Sequence, residues 1–363
     1  MLHVVLAGGG TGGHLFPGIA LARTLSERGH AVRFLCTERP IDAAQLTREG
    51  IEFRPLASPA WKGLAGGLGV FLAALGGAFD ESLADFRARP PDVVIGLGGF
   101  GCAPPVAAAR VRGIPAGLLE QNVIPGKANR LLARAVRQVF CQWNEAIPRF
   151  GRGTRCLETG SPLRSEIIPG DCAAARRALG LSPDLPLLLV LGGSQGASGI
   201  NAFFRSNAAC LTPWREKFQI LFLAGERDAA GLREAFESAG IRARVEGFRS
   251  EMTPAYQAAD LAISRAGGMS LAELVRMRLP AILVPFPHSA EGHQEANARV
   301  FAAYGGLCIL ENELRPAMLA DWIHGALLNA ARLDEWRRRM AVLDRPEAAL
   351  VIAETLEGWS SAF

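Results

Sequence analysis

Gly8-Gly9-Gly10-Thr11-Gly12-Gly13-His14, directly after the apolar residues 2–6, is the stretch on which the fold turns. A short apolar run that ends in glycines and then takes helical spacing reads as a strand turning into a helix. Residues 15–27 carry that spacing, with Ile19, Leu21, Ala22 and Leu25 as the buried stripe. Glycine has no Cβ, so backbone N–H groups and a helix N-terminus can approach a phosphate closely at such a loop. A second loop of the same kind, Gly192-Gly193-Ser194-Gln195-Gly196, follows the unbroken apolar run 187–191 about half a chain later. One loop suggests a nucleotide domain. Two predict a pair of Rossmann-like, doubly wound α/β domains facing each other across a cleft.

The rest of the chain keeps the same grammar. Strands are predicted at 31–36, 92–95, 114–119 and 138–141 in the first half, and at 219–223, 243–246, 261–264 and 281–284 in the second. Pro104-Pro105 fits the first turn of a helix. Strands alternating with helices predict parallel sheets. Residues 151–171, with four glycines and two prolines, read as a linker. The expected domains are 1–163 and 164–343, and the charged helical tail either caps the second or, as 344–363, crosses back to the first.

Composition narrows the class. The chain has 363 residues, 49% of them hydrophobic, enough for two α/β cores. The seven cysteines are scattered and never CxxC, which argues for a reducing cytosol and against a zinc knuckle. The six histidines form no HxxxH pair, so no protein metal site and no cofactor is expected. The first residues lack a basic region and glycines interrupt their apolar run, arguing against a signal peptide. Residues 1–163 hold 18 Lys and Arg against 12 Asp and Glu, giving +6, and the remainder 21 against 23, giving −2. The basic half suits an anionic surface or an ordinary solvated one. Residues 63–79 are uncharged for 17 positions, six of them glycine, short of the ~20 a spanning helix needs. They read as a loop and helix that are buried or lie at an interface.

Four loops carry candidate chemistry. Gly8, Gly10 and Gly13 satisfy GxGxxG, and Glu38 stands near where a dinucleotide-binding acid would be, so an NAD-dependent oxidoreductase is a competing reading. A P-loop is excluded, since His14-Leu15 takes the place of Lys-Ser/Thr. His14 opens a helix beside the loop amides, and an imidazole there suits a general base at neutral pH. In the second half, Arg265-Ala266-Gly267-Gly268-Met269-Ser270-Leu271-Ala272-Glu273 is another strand-to-helix loop. Ser270-x-x-Glu273 has capping-box spacing. Alternatively the helix start faces a diphosphate and Glu273 accepts from ribose hydroxyls. Glu120-Gln121-Asn122, and His288, Glu291, His293, Gln294 and Asn297, follow strands where a sugar's hydroxyls would be met.

Taken together, GGGTGGHLFPG (8–18), EQN (120–122), GSPLR (160–164), GGSQGA (192–197), AGGMSLAE (266–273) and HQEAN (293–297) resemble the MurG family over nearly the whole chain, in order. The resemblance implies a GT-B glycosyltransferase fold. It implies UDP-N-acetylglucosamine as donor, bound by the second domain. The first domain would take N-acetylmuramyl-pentapeptide on undecaprenyl diphosphate (lipid I), with inversion at the anomeric carbon and a β-1,4 product, lipid II. It also implies a peripheral place on the cytoplasmic face of the membrane, against an anionic surface, and no nucleic acid partner. By resemblance, Thr11, Gly12 and Gly13 match the first loop and Asn122 a cleft asparagine. Arg164 and Ser194 match diphosphate contacts, Met269 and Ser270 stand at the helix start, and Glu273 matches the ribose contact. Gln294, with Asn297 behind it, matches contacts to the sugar hydroxyls, and Phe248 the aromatic beside the uracil.

Some positions depart from the pattern. Leu119 stands where a histidine often precedes Glu-Gln-Asn, Gly101-Cys102-Ala103 replaces a Val-Ser-Gly-like stretch, and Arg249 takes a usually apolar position beside the uracil contact. The apolar stretch 61–79 is followed by acidic Asp80, Glu81 and Asp85, leaving Lys127, Arg130, Arg134 and Arg137 to supply a basic rim. A relative on the same fold with another lipid acceptor, a UDP-sugar epimerase and a non-catalytic sugar-nucleotide sensor are the remaining alternatives.

Overall fold

The computed structural model describes residues 1–57, 67–192 and 197–360. They form two compact units: Met1–Ser165 with the stretch from Arg345 onward, and Glu166–Asp344.

In the first unit, seven strands form one parallel sheet: β1 (His3–Ala7), β2 (Ala31–Thr37), β3 (Glu52–Leu56), β4 (Val93–Gly96), β5 (Ala116–Glu120), β6 (Gln138–Cys141) and β7 (Cys156–Glu158), in the order β3-β2-β1-β4-β5-β6-β7. The helices α1 (Gly12–Glu27), α2 (Pro40–Arg48), α3 (Leu68–Ala88), α4 (Ala103–Val111) and α5 (Lys127–Leu132) connect them. Side chains of β1 alternate across the sheet, as a period of two requires. Val4 and Leu6 pack with Leu15 and Ile19 of α1, whereas Val5 and Ala7 pack with Phe86 and Val106 on the opposite face.

The second unit repeats the plan with six parallel strands: β8 (Leu187–Leu191), β9 (Gln219–Leu223), β10 (Ala243–Glu246), β11 (Leu261–Ser264), β12 (Ala281–Leu283) and β13 (Gly306–Cys308), in the order β10-β9-β8-β11-β12-β13. Its helices are α6 (Cys172–Ala178), α7 (Ser198–Asn207), α8 (Ala229–Ser238), α9 (Thr253–Ala258), α10 (Gly268–Arg276), α11 (His293–Gly305), the short α12 (Met318–Ala320) and α13 (Ala330–Met340). A core around Phe204, Phe222 and Trp322 fills one side of this sheet. The last helix, α14 (Ala348–Ser360), returns to the first unit, where Ile352, Leu356 and Trp359 join the core under α1.

In each sheet the strand order reverses once, between β1 and β4 in the first and between β8 and β11 in the second. Ligands of open α/β sheets bind outside the carboxyl ends at such a reversal. The first glycine-rich loop leaves from one of these points, and β8, the strand before the second, ends at the other.

One expectation needs correction, and one keeps only its second alternative. Residues 151–171 are not simply a linker, because β7 lies inside them and pairs with β6. The apolar segment 63–79 is described only from Gly67, and its helical part is not wholly buried: Val70 is 70% and Leu72 55% exposed on α3, while Phe71 packs edge-on against Phe100 at 5.4 Å.

Candidate functional site

The first glycine loop is held from below by a carboxylate. Asp42, in the first turn of α2, is fully buried. Its oxygens accept from the Gly10 N–H at 2.8 and 2.9 Å, from the Thr37 N–H at 3.1 Å and from the Thr37 hydroxyl at 2.6 Å. A Cβ at Gly9 would collide with the same carboxylate. The Gly10 N–H that a dinucleotide pyrophosphate would need is therefore already taken, and by a group of the same charge sign. The GxGxxG spacing is real, but this chemistry disfavours the oxidoreductase reading.

The loop's far end carries His14. Thr11 is the N-cap of α1, exposed and extended, and its carbonyl accepts from the N–H groups of His14 and Leu15 at 3.1 and 3.0 Å. Gly12 and Gly13 form the first turn, with Gly13 exposed. The half-buried His14 sets its Nδ1 3.1 Å from the carbonyl oxygen of Leu97, in the loop after β4. A carbonyl only accepts, so this bond requires the proton on Nδ1 and leaves Nε2 with the lone pair a base uses. Gly98 makes the approach possible: its φ is +104°, and a Cβ there would stand 2.7 Å from His14 Nδ1.

Beside it, the buried Glu120 organises the loop after β5. It accepts from the Asn122 N–H at 2.9 Å, the Asn122 side-chain amide at 3.2 Å, the Gly126 N–H at 2.9 Å and Asn129 Nδ2 at 2.8 Å. Asn122 thus has its side chain partly engaged by the chain itself. Arg164 packs with the first unit, its guanidinium 4.8 Å from the Phe16 ring centre on α1.

In the second unit, α10 begins at Gly268 with Gly267 as N-cap and no side-chain cap. Met269 and Ser270 are half-buried in its first turn. Ser270 and Glu273 therefore make no capping box, because the helix starts two residues before Ser270. Glu273 instead accepts from the Tyr256 hydroxyl at 2.7 Å. Gln294, at the start of α11, accepts through Oε1 from the N–H groups of Ala266 at 3.3 Å and Phe286 at 3.0 Å, tying two strand-end loops together. Asn297 lies one turn further on with 0% exposure, its Nδ2 donating to the Ala266 carbonyl at 3.1 Å. Asn297 thus stands behind Gln294 and holds the Ala266 end of the same loop. Arg265, not singled out by spacing, reaches the carbonyls of Val284 and Pro285 at 3.0 and 3.1 Å and pairs with Glu311. Phe248 is 64% exposed. The unusual Arg249 next to it is neutralised by two hydrogen bonds to Glu246, at 2.9 and 2.6 Å. Burial pushes the Glu246 carboxyl up, but Arg249 and Arg244 outweigh it and hold it below its ordinary range. Ser194 lies outside the described residues.

Asp42 owes its hold on the first loop to Gly10, 32 residues away, and no local motif marks it. Of the acidic residues after the apolar segment, Asp85 turns inward and pairs with the buried Arg33, so it adds little negative charge to the surface. Leu131 on α5 is 79% exposed, on the same short helix as Lys127 and Arg130. No helix among the described residues is long and apolar enough to cross a membrane.

Comparisons with known proteins agree with this fold. Residues 4–141 match the glycosyltransferase family 28 N-terminal domain, and residues 187–349 the family 28 C-terminal domain. The structure superposes on Acinetobacter baumannii MurG with a TM-score of 0.80 at 24% identity, covering 99% of this chain and 100% of that one. A putative UDP-N-acetylglucosamine 2-epimerase from Listeria monocytogenes gives 0.72 at 15% identity, covering 100% and 97%, so the fold alone does not select the reaction. Two parallel-sheet α/β units, each with a loop site at its strand reversal, define a glycosyltransferase of the GT-B class. A curated relative from Myxococcus xanthus is 37% identical over 361 residues, 98% of this chain and 92% of that protein. It is named UDP-N-acetylglucosamine--N-acetylmuramyl-(pentapeptide) pyrophosphoryl-undecaprenol N-acetylglucosamine transferase. The chain belongs to the MurG family.

Proposed function

We propose that the protein moves N-acetylglucosamine from UDP-N-acetylglucosamine to the 4-hydroxyl of the muramyl residue of lipid I, giving lipid II. Full-length identity to relatives with this name supports the reaction. The bond between His14 Nδ1 and the Leu97 carbonyl carries the mechanism we assign. The muramyl hydroxyl attacks C1 of the donor sugar and gives its proton to His14 Nε2. The bond from C1 to the β-phosphate oxygen breaks, UDP leaves, and the anomeric centre inverts.

The developing charge on UDP needs fixed donors. Arg164, Ser194 and the uncapped start of α10 at Met269 and Ser270 are the groups we assign to it, with Thr11, Gly12 and Gly13 on the side of His14. One such preorganised donor is worth ~3 kcal/mol. Glu273 faces the ribose, Phe248 the uracil, and Gln294 the sugar hydroxyls, while Asn122 holds the acceptor side. The acceptor's lipid puts the first unit against the cytoplasmic face of the membrane, where exposed Val70 and Leu72, and exposed Leu131 on the same helix as Lys127 and Arg130, suit an anionic surface.

Transfer of labelled N-acetylglucosamine to a lipid I analogue tests the reaction directly. No transfer, with calorimetric binding of NAD in place of UDP-N-acetylglucosamine, would overturn it. His14→Gln should lose turnover by about 100-fold or more while donor affinity stays near wild type, the range general bases contribute. Full turnover in that variant removes His14 from the mechanism.

A further inference from the structure

We propose that Gln121 is a positioning residue that sets the tautomer of His14, acting through the carbonyl of Leu97. The link to turnover rests on the reading of His14 as base; the tautomer itself does not. Gln121 follows β5 and is only 3% exposed. Its Nε2 donates to the Leu97 oxygen at 3.3 Å, the same oxygen that stands 3.1 Å from His14 Nδ1. A carbonyl oxygen has two lone pairs. Here one takes a donor from the β5 loop and the other a donor from α1. Gln121 is itself anchored, since its backbone carbonyl accepts from Trp143 Nε1 at 3.1 Å.

The sense of the amide is decided by what surrounds it. Gln121 Oε1 is buried with no hydrogen-bond partner. Turning the amide over would set that oxygen against the Leu97 oxygen, two acceptors face to face, and would strand the NH2 group as well. A buried polar atom left unpaired is costly. Such a cost is tolerated where the remaining bond has a purpose. The turn at Gly98 brings the parts together: a Cβ there would lie 2.7 Å from His14 Nδ1 and 3.6 Å from Gln121 Oε1. The Leu97–Gly98 peptide is therefore wedged between the two side chains. Pinned by Gln121, its carbonyl holds the imidazole proton on Nδ1 and keeps Nε2 as the acceptor.

The experiment uses the full chain with 15N-labelled histidine, the His14 signals being assigned by their loss in His14→Gln. NMR above the imidazole's titration should find the wild-type proton on Nδ1. Gln121→Met keeps the shape and removes the bond; both tautomers should then be populated. kcat should fall about fivefold, the fold-change of one neutral hydrogen bond of about 1 kcal/mol, with KM for UDP-N-acetylglucosamine unchanged. A purely structural role would lower the melting temperature without moving the tautomer. A wild-type proton on Nε2 overturns the proposal without any variant, and so does a single Nδ1–H tautomer with full kcat in Gln121→Met. A tautomer shift with unaltered kcat overturns the link to turnover. Full activity in His14→Gln instead ends the base reading, a result separable from the tautomer measurement.

Discussion

At Asp42 one carboxylate satisfies two backbone N–H groups and a hydroxyl at the root of the first glycine loop. Asp42→Ala should destabilise the first unit by about 3 kcal/mol, since hydrogen bonds to a charged acceptor are worth ~1.5–3 kcal/mol and buried donors would be left unpaired. Asp42→Asn should retain part of that. Urea denaturation compares them, and an unchanged midpoint in the alanine variant would contradict the role. Gly98 is the complementary case. Gly98→Ala places a methyl 2.7 Å from His14 Nδ1 at a φ of +104°. Turnover should fall at least tenfold with little change in donor binding, checked by kinetics and calorimetry. The glycine loops are readable in sequence because the missing Cβ leaves a local signature. The meaning of the first is not, because Gly10 and Asp42 meet across 32 residues. A fingerprint built for a pyrophosphate here serves a carboxylate from its own chain.

At the scale of elements, sequence pattern finds every inner strand, such as β8 and β9, whose residues are all buried, and one edge strand, β10. The three it misses, β3, β7 and β13, are all at sheet edges. Edge strands are short and half-solvated, so their apolar signal is weak; β3 also carries Pro55, which only an edge tolerates. The docking of α14 has its own pH dependence. Hydrogen bonds from Arg28 and then His30 hold the Glu357 carboxyl down, from its ordinary 4.5 to about 2. A depressed carboxyl contributes stability that is present above the unfolded value and lost as pH falls through the folded one. The α14 anchor should therefore loosen between about pH 4.5 and 2, and Glu357→Gln should remove that dependence. Amide exchange along α14 measures it; identical profiles in the two proteins would refute it. Trp359 stacks on Phe140 at 6.2 Å and offers a fluorescence reporter of the same event.

At the scale of the whole molecule, the excess of +6 over residues 1–163 lies in the unit that also exposes Val70, Leu72 and Leu131. Binding to vesicles containing anionic lipid should exceed binding to neutral ones and fall with salt. Leu131→Ser with Lys127→Glu should weaken it several-fold without altering UDP-N-acetylglucosamine binding. Equal binding to neutral vesicles would leave the basic residues without that role.

The return of α14 to the first unit has a consequence for biogenesis. Ile352, Leu356 and Trp359 complete a core begun by Leu6, Leu15 and Ile19. The apolar face under α1 thus waits for residues more than 300 positions later in the chain to be made before it is covered. The second unit is contiguous in the chain and needs no such late segment. Until α14 is made, the open face under α1 is exposed apolar surface of the kind a chaperone would shield.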